Sequence, residues 1–105
     1  MVMPAQGQIW WVETPHATGR PYLIMTRDAA IPVLNSLLAA PLTTTVRGIP
    51  TELSLTAADG VRRECVASLD NVVSIPRSML RRPVGQLAAG RWHEVCEAVR
   101  HAIGC

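Results

Sequence analysis

The sequence predicts a mainly β fold with one helix: a small β-barrel closed or covered by a C-terminal α-helix. Three observations lead there. Short apolar runs rich in β-branched residues recur between Gly7 and Leu87, punctuated by Gly and Pro. From Gly90 the period changes: Trp92, Val95, Cys96, Val99, Ala102 and Ile103 recur at three- and four-residue steps, the mark of one helix face. The length, 105 residues, is that of a single domain spanning 1–105. A chain of that size buries about two thirds of its unfolded surface, so it needs no disulfide or metal to fold.

The elements follow in order. Gln8 to Glu13 (QIWWVE), entered from Gly7, reads as the first strand. Trp10 and Trp11 are neighbours in it and so face opposite sides. One belongs to the core; the other is a candidate for a dimer interface, with base stacking the lesser alternative. TPHATGRP, with Pro15, Gly19 and Pro21, reads as a loop. Tyr22 to Thr26 is a continuous apolar run, hence a buried strand. RDAAIPVLNS holds a helical turn broken by Pro32, and LLAAPLTT is a third strand in which Pro41 points to an edge or a bulge. Thr51 to Thr56 alternates polar and apolar, so one face is solvated. AADG is a turn and CVASL a fifth strand; Asp70-Asn71 turns again. RSMLRRP is a short helical turn and VGQL a last short strand. On the helix, Arg91, Glu94, Glu97 and Arg100 take the polar side, and Gly104 is placed to cap the C-terminus. His93 and His101 read as helix surface or interface, and Met25, Met79 and Cys65 as packing.

Composition narrows the function. Hydrophobic residues make up 49% of the chain, which excludes disorder, and the core must be aliphatic because Phe is absent. With three Trp and one Tyr, an aromatic-lined groove for Pro-rich peptides is disfavoured. The net charge of +2 alone does not announce nucleic acid. All ten basic residues are Arg. A GC-rich genome explains such a bias, yet each Arg still offers a planar fork suited to phosphate. Cys65, Cys96 and Cys105 are odd in number and lack metal-ligand spacing, so reduced thiols in a cytoplasm are expected. No signal-peptide pattern or membrane-length apolar run is present. The expectation is a cytoplasmic protein with no membrane segment, cofactor or metal.

One stretch asks for chemistry. In PLTTTVRGIPTEL, Pro41 to Leu53, three threonines and Arg47 sit where a strand gives way to a loop. A strand end followed by a Gly48 turn is one explanation; a phosphate site is the other. GRPYLIMTRD places Arg20 at the mouth of another strand. Read with GQIWWV before them and DNVVSIPRSMLRRPVGQL after, these segments resemble the MazF/PemK family of toxin endoribonucleases over nearly the whole chain, in one order.

That resemblance implies an SH3-like barrel with a C-terminal helix, a homodimer, and a cognate antitoxin that blocks the groove. It implies sequence-specific, metal-independent cleavage of single-stranded RNA, with mRNA as the target and rRNA or tRNA as alternatives. The RNA's own 2′-hydroxyl would attack the adjacent phosphorus, giving a 2′,3′-cyclic phosphate and a 5′-hydroxyl. The family's catalytic arginine matches Arg20 and its threonine Thr43. A fixed guanidinium and a fixed hydroxyl suit a phosphorane, on whose oxygens negative charge grows. Thr14, His16, Thr44, Arg47 and Asn71 are the candidates for flanking phosphates or bases. The chain departs from the family in one respect: its first loop is short and lacks the acidic residue several members carry before the arginine. Glu13 lies at the strand end instead, and His16 becomes a candidate for proton transfer. A CcdB-like toxin, which poisons gyrase without catalysis on the same barrel, is the alternative; it has no need of the Arg20/Thr43 pair.

Overall fold

The computed structural model describes residues 3–15 and 17–105. Its strands are β1 (Gln8–Thr14), β2 (Ala17–Ile24), β3 (Ser36–Thr43), β4 (Glu52–Leu55), β5 (Cys65–Ser68), β6 (Val73–Pro76) and β7 (Leu80–Gln86). The helix, α1, runs Trp92–Ile103 and ends at Gly104, whose left-handed backbone (φ 75°) lets its N–H reach the Arg100 carbonyl. The strand order is β4-β5-β3-β2-β1-β7, with β6 also beside β3, and every pairing is antiparallel.

The continuous apolar runs find their explanation in burial on both faces of the sheet. On one face Ile9, Leu23, Leu42, Leu53 and Leu55 pack with Val95 and Ala98 of α1. On the other, Trp10, Val12, Ile24, Leu37 and Ile75 pack with Ile31 of a 3₁₀ turn (Ile31–Val33). Trp10 is the core tryptophan, its indole N–H donating to Gln8 Oε1 at 2.9 Å. Met25 and Met79 pack against these clusters and Cys65 is buried, as expected.

Three local expectations change. The first loop is much shorter than TPHATGRP suggests: Thr14 pairs with Ala17, so β2 already includes Gly19 and Arg20. Pro41 is not on an edge strand. β3 is central, and Pro41 falls where its partner switches from β6, last paired at Ala39, to β5, first paired at Leu42. The missing N–H is tolerated at that break. Leu37 is fully buried, whereas Leu38 is 52% exposed. The last strand begins at Leu80 rather than Val84; it carries Pro83 because β7 ends the strand order.

The barrel is not closed by a ladder, since β4 and β7 end the order without pairing to each other. The seam is closed by other means. A 3₁₀ turn (Ala57–Asp59) follows β4, and Asp59 is completely buried in it. Asp59 accepts from the N–H groups of Thr56 (3.0 Å) and Ala88 (2.8 Å) and from Arg91 Nη1 (2.7 Å). Arg91 also donates to the Ser54 carbonyl (2.7 Å) and grips Glu94 through Nε and Nη2 (2.9 and 3.0 Å). Arg91 is thus the N-cap residue of α1, turned back to the seam, and not part of the solvated helix face. Next to it two glycines touch: a Cβ at Gly60 would come within 2.9 Å of Gly85 Cα. Gly60 also takes φ 84°, so a side chain there meets both strain and collision.

Burial opposes ionisation of Asp59, but the Ala88 and Thr56 N–H groups and Arg91 outweigh it and hold its carboxyl below the ordinary value. A lowered pKa adds stability that is complete above about pH 4 and is lost as pH falls through the folded value. Arg91→Gln leaves a buried carboxylate without its cation and is expected to cost about 3 kcal/mol at neutral pH. It should also move the onset of acid unfolding upward. Asp59→Asn is expected to cost less, about 1–2 kcal/mol, and to flatten the acid limb. Urea titrations between pH 3 and 7 measure both.

Candidate active site

Strands β2 and β3 pair at Tyr22↔Pro41, Leu23↔Ala40 and Ile24↔Ala39, and then diverge. They diverge because the far end of β3 turns to β5, pairing Leu42 with Ala67 and Thr43 with Val66. Continuing the β2–β3 register two steps sets Arg20 opposite Thr43, on one face of the opening. The splay opens a cleft of about 710 Å³, lined at its centre by Gly19, Arg20, Pro21, Thr43 and Thr44. Trp11, Arg82 and Val84 form one wall; Gly60 to Arg63, the segment after the buried Asp59, forms the rim.

Thr43 is partly buried, and its Oγ1 accepts from the Thr45 N–H at 3.1 Å. That contact fixes the rotamer and leaves the hydroxyl proton free to donate. Arg20 is exposed, and no carboxylate pairs with it among the described residues. The same holds for Arg62, Arg63 and Arg82, and no Asp or Glu lines the cleft. Four guanidiniums therefore converge on one opening with no local counter-charge, a field that the net charge conceals. Cys65 also lines the cleft, where burial, with the Asp59 charge behind it, pushes its thiol up and keeps it protonated.

The expected residues divide. Arg20, Thr43 and Thr44 come together in the cleft. Thr14 sits at the hairpin end and does not line it, nor do Arg47 and Asn71. Arg47 lies in the exposed β3–β4 loop, which is tied through its backbone: the N–H groups of Arg47 and Gly48 donate to Glu52 at 3.0 and 2.9 Å. Asn71 donates to Ser68 Oγ at 2.8 Å. Glu13 pairs with Arg81 at 3.2 Å, away from the cleft lining. His16 lies outside the described residues. The sequence reading missed Arg62, Arg63 and Arg82. It left open which tryptophan is core, offering the other for a dimer interface with base stacking as the lesser alternative; Trp11 is that other one, and it lines the cleft. The strict alternation of β1, with Trp10 inward, is the one signal that marked Trp11 as facing elsewhere. Among the described residues no three His, Cys, Asp or Glu side chains group as a metal site, and no helix is long and apolar enough to cross a membrane.

Known proteins resemble this chain in sequence and fold. The family described as PemK-like, MazF-like toxin of type II toxin-antitoxin system matches residues 5–103. "Probable endoribonuclease MazF5" of Mycobacterium tuberculosis is 38% identical over 104 residues, 98% of this chain and 95% of that protein. The solved "Mycobacterium tuberculosis toxin MazF-mt6" superposes with a TM-score of 0.85 at 36% identity, covering 92% of this chain and 96% of that one. An "endoribonuclease in complex with its cognate antitoxin from Mycobacterial species" gives a TM-score of 0.85 at 25% identity, covering 96% and 95%. The match spans the barrel, the cleft and the helix alike, and the chain belongs to the PemK-like, MazF-like toxins of type II toxin-antitoxin systems.

Proposed function

We propose that this chain, acting as a single domain, is the toxin of a type II toxin-antitoxin pair and cuts single-stranded RNA at a short sequence, in the cytoplasm. The observation that carries the proposal is that Arg20 and Thr43 line one cleft at the β2–β3 splay, together with Arg62, Arg63 and Arg82 and, among the described residues, no carboxylate. The endoribonuclease names of its relatives support it. A CcdB-like gyrase poison is not favoured, because residues 5–103 match the PemK-like, MazF-like toxin family.

The chemistry follows from these groups. The ribose 2′-oxygen attacks the adjacent phosphorus, and the bond to the 5′-oxygen breaks. The ribose ends as a 2′,3′-cyclic phosphate, and the leaving oxygen takes a proton to become a 5′-hydroxyl. Negative charge grows on the nonbridging oxygens along the way. Arg20 meets it with two parallel N–H donors, and Thr43 with one O–H. Arginine is always protonated, so it is not the base that takes the 2′-proton. His16 is the candidate that the sequence supplies. Thr44 serves a phosphate flanking the scissile one. Arg47, Asn71 and Thr14 are left for RNA running beyond the cleft.

The partners follow the same reading. A cognate antitoxin covers the cleft, and a second copy of the chain extends it. Leu34, Leu38 and Val73, 40%, 52% and 42% exposed on and beside β3 and β6, supply apolar surface for such a copy. Light scattering at micromolar concentration is expected to report a dimer mass; a monomer alone contradicts the homodimer.

Two measurements test the chemistry. Arg20→Lys keeps the charge but loses the fork, so RNA binding should stay near wild type while single-turnover cleavage falls about a hundredfold or more. Thr43→Val should fall similarly, and the double variant by much less than the product. Arg20→Lys cutting at the wild-type rate would remove Arg20 from the chemistry. Cleavage is also expected to continue undiminished in EDTA, since Arg20 supplies the positive charge. Loss of activity in EDTA, restored by a divalent ion, would contradict the mechanism.

A further inference from the structure

We infer that Trp11 and Arg82 form a stacking platform for one RNA base beside the scissile phosphate; this rests on the cleft's binding RNA, as proposed above. The two residues stand directly opposite each other in the β1–β7 register. The Arg82 guanidinium carbon lies 5.4 Å from the indole centroid, over the ring. Both line the cleft that holds Arg20 and Thr43. On the far side of β1, Trp11 pairs with Pro21, and its indole lies against Gly19: a Cβ there would run into the ring. The ring is therefore held from below by bare backbone and crossed from above by a planar cation.

The pair is not explained by packing or by salt-bridging. Trp10 fills the core, so β1 does not need a second tryptophan for burial. Trp11 is only partly buried, and Arg82 is exposed. Arg81, the neighbour on the other face of β7, is the one paired to a carboxylate, Glu13. Arg82 has no such partner among the described residues. A guanidinium plane braced on an indole and presented to a basic cleft suits one ligand class, a flat nucleobase on a phosphate backbone, stacked on the outer face of Arg82. Stacking accepts any base, so the platform positions a nucleotide and sets its path to Arg20; edge contacts from other groups would choose which base.

The test uses binding, separately from cleavage. The probes are a labelled single-stranded RNA of mixed sequence, 2′-O-methylated so that it cannot be cut, and an abasic ribose-phosphate strand of equal length. Wild type should bind the base-bearing strand about tenfold more tightly, the scale of one stacked base. Arg82→Lys keeps the charge without the plane. It should hold the abasic strand as wild type does, yet prefer bases no more than about twofold. Trp11→Leu should lose the preference too, with circular dichroism confirming its fold; Arg82→Lys, at an exposed site, stands without it. Equal binding of both strands by wild type, or a full preference kept in Arg82→Lys, overturns the platform. A wild type that prefers bases yet cuts no unmodified RNA leaves the platform standing and removes the cleavage proposal. One that cuts RNA without any preference for bases does the reverse.

Discussion

Asp59, buried and ionised beside Arg91, ties the end of β4 to the segment after β7 and to the start of α1, which no strand pairing joins to it. A sheet of short, strongly coiled strands has two edges to protect. Here the edges are brought together by one carboxylate with three donors and one guanidinium with three acceptor groups. The Gly60–Gly85 contact gives the approach its closeness. Charge-assisted bonds in a dry setting are strong and directional, so they hold a geometry that apolar packing alone would leave free to slide. The segment from Gly60 to Arg63 leaves this seam and becomes the rim of the cleft. The pair that closes the fold thus also fixes where the rim arginines stand.

The cleft owes its position to a change of partner along one strand. β3 is bonded to β6 in its first half, to β2 through its middle up to Pro41, and to β5 in its last residues. At the break sits Pro41, which has no N–H to contribute. Beyond it β2 and β3 part, and the two groups at the parting are a hydroxyl held by the Thr45 amide and an unpaired guanidinium. Neither has to be moved or desolvated from an ion pair before it meets an anion. Arg20 is in place on a strand, not a loop, which is the rigidity that a charge-stabilising group needs.

Much of this was legible in the residues. The helix, its Gly104 cap, the buried second strand and the Arg20/Thr43 pair could be read because each depends on local pattern or on a motif. What could not be read depends on partners distant in sequence. Arg91 looked like a solvated helix charge because its carboxylate lies thirty-two positions earlier, in what read as a plain turn. Arg62, Arg63 and Arg82 stand in no motif that singles them out, and only the fold brings them to one cleft. Pro41 looked like an edge marker because a strand with different partners in its two halves has no one-dimensional signature. The hairpin loop was read too long because Pro15, Gly19 and Pro21 all favour turns, whereas Gly19 is kept for the Trp11 ring.

The seam also bears on how the chain is made. Strands β1, β2 and β3, with Arg20 and Thr43, leave the ribosome early and can pair among themselves. Asp59 must wait for Ala88 and Arg91, and Trp11 must wait for Arg82. Until the chain through Arg91 is available, the rim has nothing to anchor it and the wall is missing a strand. A chain that stops before β7 and Arg91 carries Arg20 and Thr43 but no finished cleft around them. The cleft is therefore completed by β7 and the start of α1, long after its first two strands are laid down in the chain.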